Sequence, residues 1–213
     1  MRSCREPPLD AGRTRWWWYL GAPLGIAAGA VVAVWLRTSG SDALTLGRGE
    51  KVDAAFTARL DPPPSREVAT PGGRFLLVVF GYTSCPDVCP TTLLAVHRAL
   101  NALGASAERV VPIFVTVDPD RDTAEHLRTY TASFDPRIRS LSDPAVAAAT
   151  LRAFHARAER RNAPSGAGYS MDHTAALYLL DPARRVVAAL PENSPTLDDD
   201  LVKALRGDPA FGH

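Results

Sequence analysis

The sequence has little net charge. Its 213 residues sum to +1 at neutral pH, which argues against nucleic acid as the main partner, because a phosphate backbone calls for a basic face. Sulfur is scarce: three cysteines and two methionines, one of these the first residue. No tryptophan follows Trp35, so all four indoles crowd into the N-terminal part and mark it as facing a different solvent from the rest. No internal repeat is visible. What remains is ordinary for a globular chain. Hydrophobic residues make up 46%, enough for a sizeable core, and the length suits one domain plus extras.

The N-terminal part divides by composition. Residues 1–15 carry Arg2, Arg5, Arg13 and Arg15 against Glu6 and Asp10 and read as a cytoplasmic tail. Trp16 to Leu36 is an uncharged run of 21 residues closed by Arg37. At ~1.5 Å per helical residue it spans a bilayer core of ~30 Å. Trp16, Trp17, Trp18 and Tyr19 form an aromatic belt at one end and Trp35 marks the other. The arginine excess before the run predicts that the chain after it lies outside the cytoplasm. A cleaved signal peptide is the rival, with Ala28-Gly29-Ala30 as the cleavage site, but it leaves an awkwardly apolar mature start. No cysteine closely follows the run, so no lipoprotein site is expected. Residues 37–51 read as a linker and 52–213 as the folded domain. Cys4 precedes the membrane run, so the remaining two cysteines form a matched pair in another compartment.

That pair lies in Phe80-Gly81-Tyr82-Thr83-Ser84-Cys85-Pro86-Asp87-Val88-Cys89-Pro90. The apolar run from Phe75 to Phe80 suits a central strand covered on both faces. A helical pattern follows, from Pro90 to about Leu103, with Leu93, Val96, His97, Leu100 and Leu103 on its buried face. A helix start offers unpaired N–H groups and the favourable end of the dipole. A thiolate there is stabilised and its pKa falls. Two cysteines that only fill space are the bland alternative, which leaves their spacing at this junction unexplained. His97 lies ~12 Å along the axis from Cys89, too far to share a metal, and reads as a core histidine.

Val110 to Val117 reads as a second buried strand. Asp118-Pro119-Asp120-Arg121-Asp122-Thr123 then turns into a helix, with Asp122 and Glu125 at capping-box spacing and His126 solvated. Ser142-Asp143-Pro144 starts a third helix, in which Leu151 and Phe154 pack and His155 reads as structural. Residues 159–170 read as a mobile loop. Ala175 to Leu180 and Val186 to Leu190 form a hairpin, and Ser194-Pro195 starts a last helix whose Asp198, Asp199 and Asp200 suit its first turn. Asp53 to Leu60 alternates weakly and reads as a strand ended by Pro62 to Pro64.

This order is that of an α/β, thioredoxin-like fold with insertions, here preceded by one N-terminal transmembrane helix. In such folds the loop entering the final hairpin faces the start of the cysteine helix. Here that loop is Tyr169-Ser170-Met171-Asp172-His173-Thr174. By resemblance to thioredoxins, where a proline precedes a threonine, His173-Thr174 takes that place. A lone histidine is usually structural; one aimed at a dithiol is more often a ligand. Two thiolates and an imidazole form a soft set that suits Cu(I) and can also take Cu(II) or zinc. Structural zinc normally wants four protein ligands, and no fourth is evident; Met171 could lend a thioether, but reads first as a buried side chain flanking the loop.

Cys85-Pro86-Asp87-Val88-Cys89-Pro90, the Asp118–Thr123 turn and Asp172-His173-Thr174 together resemble the three signatures of the Sco/SenC family, over roughly residues 52–206. Gly72-Gly73-Arg74 is a weak version of the family's segment before the first core strand. The resemblance implies a membrane-anchored copper protein that helps assemble the binuclear copper site of cytochrome c oxidase, with copper held by Cys85, Cys89 and His173. The implied partners are the copper-bearing oxidase subunit and another periplasmic copper chaperone. The implied location is a bacterial inner membrane, with the soluble domain in the periplasm. A second reading is a thiol–disulfide oxidoreductase that reduces the oxidase cysteines, with Cys85 and Cys89 as its redox pair. A peroxidase is a third, and the Cys-x-x-x-Cys pair with an opposed histidine suits it less well.

Overall fold

Seven consecutive residues without a polar side chain, Phe75–Gly81, cannot leave either face to water. They form β1, buried throughout, the middle strand of a five-stranded sheet. The computed structural model describes residues 46–53, 73–162 and 168–212. The chain divides into two compact units, Met1–Ala43 and Leu44–His213, and the described residues all belong to the second. The run 16–36 and nearly all of the strand expected over Asp53 to Leu60 lie outside them. Among the described residues no helix is long and apolar enough to cross a membrane.

β1 leads through α1 (Val88–Leu103) and a 3-10 segment (Gly104–Arg109) to β2 (Val110–Thr116). β2 pairs parallel with β1, from Phe75↔Val110 to Gly81↔Thr116. This crossover covers one face of the sheet with a helix, as parallel pairing requires. α2 (Ala124–Phe134) leads to the short β3 (Arg139–Leu141), parallel to β2 at the sheet edge. After α3 (Pro144–Ala153) come β4 (Ala158–Asn162) and β5 (Tyr169–His173), which pair only with each other. β6 (Ala176–Leu180) lies antiparallel to β1, β7 (Val186–Pro191) antiparallel to β6, and α4 (Leu197–Arg206) ends the fold. The strand order is β3-β2-β1-β6-β7. This mixed α/β arrangement is consistent with the thioredoxin-like fold expected from the sequence.

Period-two alternation sends the β1 side chains to two different cores. Phe75, Leu77 and Val79 pack with Leu93, Val96 and Leu100 of α1 and with Leu197, Leu201 and Leu205 of α4. Leu76, Val78 and Phe80 pack with Ile113, Val115, Tyr178 and Phe154 on the other face. Burying each such side chain contributes about 1.5–3 kcal/mol. Phe80 meets Phe154 and Tyr178 edge-to-face and those two rings are tilted to each other, with centroids 5.0–6.2 Å apart.

Several elements differ from the sequence reading. The stretch 159–170 contains most of β4 and the start of β5 instead of a plain loop. Its strands are short and mostly exposed, so no apolar alternation marks them. Residues 46–52, inside and just after the expected linker, run beside the β6–β7 turn. Leu46 and Val52 are buried there, and Val52 N–H donates to Arg184 O. Thr123, not Asp122, caps α2, accepting the His126 N–H on its side chain. His97 is half-buried at the edge of α1 instead of in the core. Its Nδ1 lies 2.9 Å from Asp135 and its Nε2 2.9 Å from Asn101. Burial would raise the Asp135 carboxyl, but three Arg137 bonds and the His97 contact outweigh it and hold it down at about 2.

Candidate metal centre

The cysteines sit where the parallel β1–β2 pair ends and α1 begins. Cys85 N–H donates to Tyr82 O at 3.2 Å, which closes the turn leaving β1. Asp87 occupies the cap position of α1, yet its carboxylate makes no cap bond. The Cys85 sulfur takes that role, receiving the Cys89 N–H at 3.5 Å. A free helix N–H is an orphan donor, and a sulfur that accepts it is drawn toward the thiolate.

The two sulfurs are unlike. Burial alone would push the Cys85 thiol up. The N–H groups of Cys89, Asp87 and Val88, with the Cys89 thiol, outweigh it and hold Cys85 below the ordinary thiol range. Cys89 is 1% exposed. Burial pushes its thiol strongly up, and donating its proton to Cys85 adds to this. The pair thus sets a half-exposed sulfur that ionises more readily than an ordinary thiol above a buried one that holds its proton. Both are free cysteines.

Gly81 makes this packing possible. A Cβ there would lie 2.6 Å from the Phe114 ring and 2.8 Å from Cys89 Sγ, so only a residue without a side chain lets the sulfur lie against β1. The loop between them is tied down from β2. Asp122, 1% exposed, accepts from Thr83 Oγ1 at 2.5 Å, Thr83 N–H at 3.2 Å and Thr116 Oγ1 at 2.6 Å.

His173 ends β5 and lies edge-on to Tyr82, with ring centroids 6.2 Å apart. Its Nδ1 is 3.1 Å from Thr174 O. A carbonyl can only accept, so Nδ1 carries the proton and Nε2 keeps its lone pair. Burial lowers the imidazole pKa, against the Thr174 carbonyl and Asp172, and so favours the neutral form a metal requires. An open groove of about 380 Å³ beside it is lined by Arg157, Glu159, Arg161, Asp172, His173 and Thr174. The structure brings the two cysteines together. It places His173 on the neighbouring hairpin, but among the described residues no three His, Cys, Asp or Glu side chains converge closely enough to hold an ion. Met171 is half-buried and packs against the core face that includes Cys89. Cys4 lies outside the described residues. The donor chemistry, two sulfurs and an imidazole, fits a soft metal ion.

Four residues at this end of the sheet escaped the sequence reading: Tyr82, Asp122 as a loop anchor, Tyr169 and Glu192. Glu192 follows β7, and its N–H donates to Ala175 O at 3.1 Å. It is 3% exposed and neither carboxyl oxygen has a hydrogen-bond partner. Burial, and then the Cys85 charge, pushes it up to about 8. Its signal in the sequence was a single acid directly after an apolar strand.

Fold and site together define an α/β protein with a helix-capping dithiol and a histidine on a separate hairpin. The chain belongs to the SCO1/SenC family, whose pattern it matches over residues 48–206. An SCO2-like protein of Rickettsia prowazekii is 36% identical over 113 residues, covering 51% of this chain and 54% of the relative. The mitochondrial SCO1 homolog 1 of Arabidopsis thaliana is 30% identical over 141 residues, covering 63% and 41%. The chain matches about half the length of these curated relatives. Among solved structures, copper-bound ScoI of Bradyrhizobium japonicum is 40% identical, with a TM-score of 0.55 over 62% of this chain and 86% of that one. Apo Sco1 of Thermus thermophilus is 34% identical, with a TM-score of 0.58 over 64% and 80%.

Proposed function

We propose that this chain is a copper chaperone that carries copper on Cys85, Cys89 and His173 and supplies it to the copper-bearing subunit of cytochrome c oxidase. In this reading residues 16–36 anchor it in a bacterial inner membrane and the domain works in the periplasm, receiving metal from another copper chaperone there. The observation that carries it is the donor set. Two sulfurs share a helix start, one of them accepting a helix N–H, and the nearby imidazole keeps its Nε2 lone pair. Two sulfurs and one nitrogen favour Cu(I), with Cu(II) as the alternative oxidation state. The copper-bound relative from Bradyrhizobium japonicum supports the metal.

A second reading rests on the inequality of the sulfurs. A low-pKa, half-exposed Cys85 above a buried Cys89 suits an attacking and a resolving thiol. Cys85 thiolate attacks one sulfur of a partner disulfide and releases the other as a thiolate. Cys89 then attacks Cys85, freeing the partner's second sulfur. The partner gains two electrons, and Cys85 and Cys89 become a disulfide.

His173→Ala separates the two readings. It should weaken copper binding by orders of magnitude, at ~1.4 kcal/mol per tenfold, while the dithiol still oxidises. Under the chaperone reading it fails in oxidase assembly as badly as Cys85→Ala. Retained assembly in a variant shown not to bind copper would overturn that reading.

A further inference from the structure

The turn after β2, Asp118 to Thr123, has no role in either chemistry, yet it grips both halves of the site. Asp122 holds the Thr83 end of the cysteine loop, as described above. Four residues earlier, Asp118 is also nearly inaccessible, 3% exposed. It accepts the Tyr169 hydroxyl at 2.8 Å and pairs with Arg121 Nε. Arg121 donates from Nη1 to Tyr169 O at 3.1 Å and lies over the Tyr169 ring at 3.8 Å. Arg160, from β4, covers that ring at 3.4 Å, so Tyr169 is sandwiched between one arginine of the body and one of the hairpin. Arg121 also faces the Tyr82 ring at 5.7 Å, and Tyr82 meets His173.

Tyr169 and His173 are the two ends of the same five-residue strand. β4 and β5 pair with no other strand, and an isolated two-stranded ribbon is marginal without outside support. The Asp118–Arg121–Tyr169 contact supplies support at the end away from the histidine. We propose that this turn is the spacer of the centre: Asp122 fixes the dithiol, and Asp118 with Arg121, acting through Tyr169, fixes how far His173 stands from it. Tyr169 is a positioning residue for the imidazole. The proposal rests on His173 being a copper ligand.

Tyr169→Phe removes a single oxygen and keeps the stacked ring. It should weaken Cu(I) binding about tenfold in competition with a chromophoric chelator, and should speed hydrogen exchange at the amides of 169–173. In a His173→Ala background the same change should cost nothing further in copper affinity, because its effect passes through the imidazole. Arg121→Gln should act in the same direction and more strongly. Asp122→Asn should instead shift the midpoint potential of the dithiol. The proposal is overturned if Tyr169→Phe binds copper as wild type does while His173→Ala loses it, a result that leaves the copper reading standing. It is also overturned if the two changes add fully. If His173→Ala itself binds as wild type, the ligand reading fails and the proposal falls with it.

Discussion

The start of α1 and the β4–β5 hairpin each carry part of the proposed centre, and they are built in opposite ways. The cysteine junction extends a strand buried on both faces, and its sulfur lies where a side chain on Gly81 would be. The hairpin is outside the main sheet, mostly exposed, and held by polar contacts. The difference teaches that the dithiol is set by packing together with buried hydrogen bonds to Asp122, whereas the imidazole depends mainly on hydrogen bonds and stacking at the hairpin. Packing leaves one arrangement, whereas an exposed ribbon can shift at low cost.

The sharpest way to break this comparison is at the sulfurs. Cys85→Ser and Cys89→Ser should each lower Cu(I) affinity by several orders of magnitude. Their thiol chemistry should differ. Cys89→Ser should accumulate a mixed disulfide with a small-molecule disulfide, visible by mass, and Cys85→Ser should form almost none. Equal trapping by both would show that the sulfurs are not distinguished as the structure has them.

Glu192 gives the next effect. Its carboxyl holds a proton in the folded state, up to about pH 8, that the unfolded chain loses near pH 4.5. The folded state therefore binds more protons in that window, and stability should fall as pH rises through it, by ~1.4 kcal/mol per unit at most. Glu192→Gln should flatten the slope in chemical denaturation at pH 5, 6.5 and 8. An unchanged slope would mean that the carboxyl ionises in place.

Gly81→Ala comes third. Overpacking against Phe114 and Cys89 should cost about 1–3 kcal/mol and disturb the dithiol potential. On the hairpin, Thr174→Val removes the acceptor for the Arg157 N–H, now 2.9 Å away, and should cost about 1 kcal/mol with faster exchange confined to β4 and β5. Arg161→Ala is the smallest. Its pair with Asp172 is exposed on both sides, and the cost should stay within about 0.5 kcal/mol.

The same division decided what could be read from the sequence. β1, β2, β6 and the buried faces of α1 and α4 announce themselves by apolar runs and periodicity, and the cysteine pair by its place between two of them. β4 reads Ala-Glu-Arg-Arg-Asn and β3 Arg-Ser-Leu. They are strands because neighbours pair with them, not because their side chains ask for it. Asp122 has capping spacing from Glu125, yet a buried hydroxyl pair 6 and 39 residues away claims it, and no local pattern encodes that. Tyr169 is likewise four residues from His173 in sequence, while Asp118 and Arg121, which hold it to the body, lie on the β2–α2 turn.

The sulfur that caps α1 gives the molecule a built-in gauge. The amide of Cys89 senses the electron density on Cys85 directly, across 3.5 Å. A proton, a metal ion or a second sulfur on that atom would withdraw density from the amide's acceptor and weaken this bond. The Cys89 amide resonance should therefore report what the Cys85 sulfur holds. Titrating that resonance would show whether a reductant or a copper donor reaches the sulfur first.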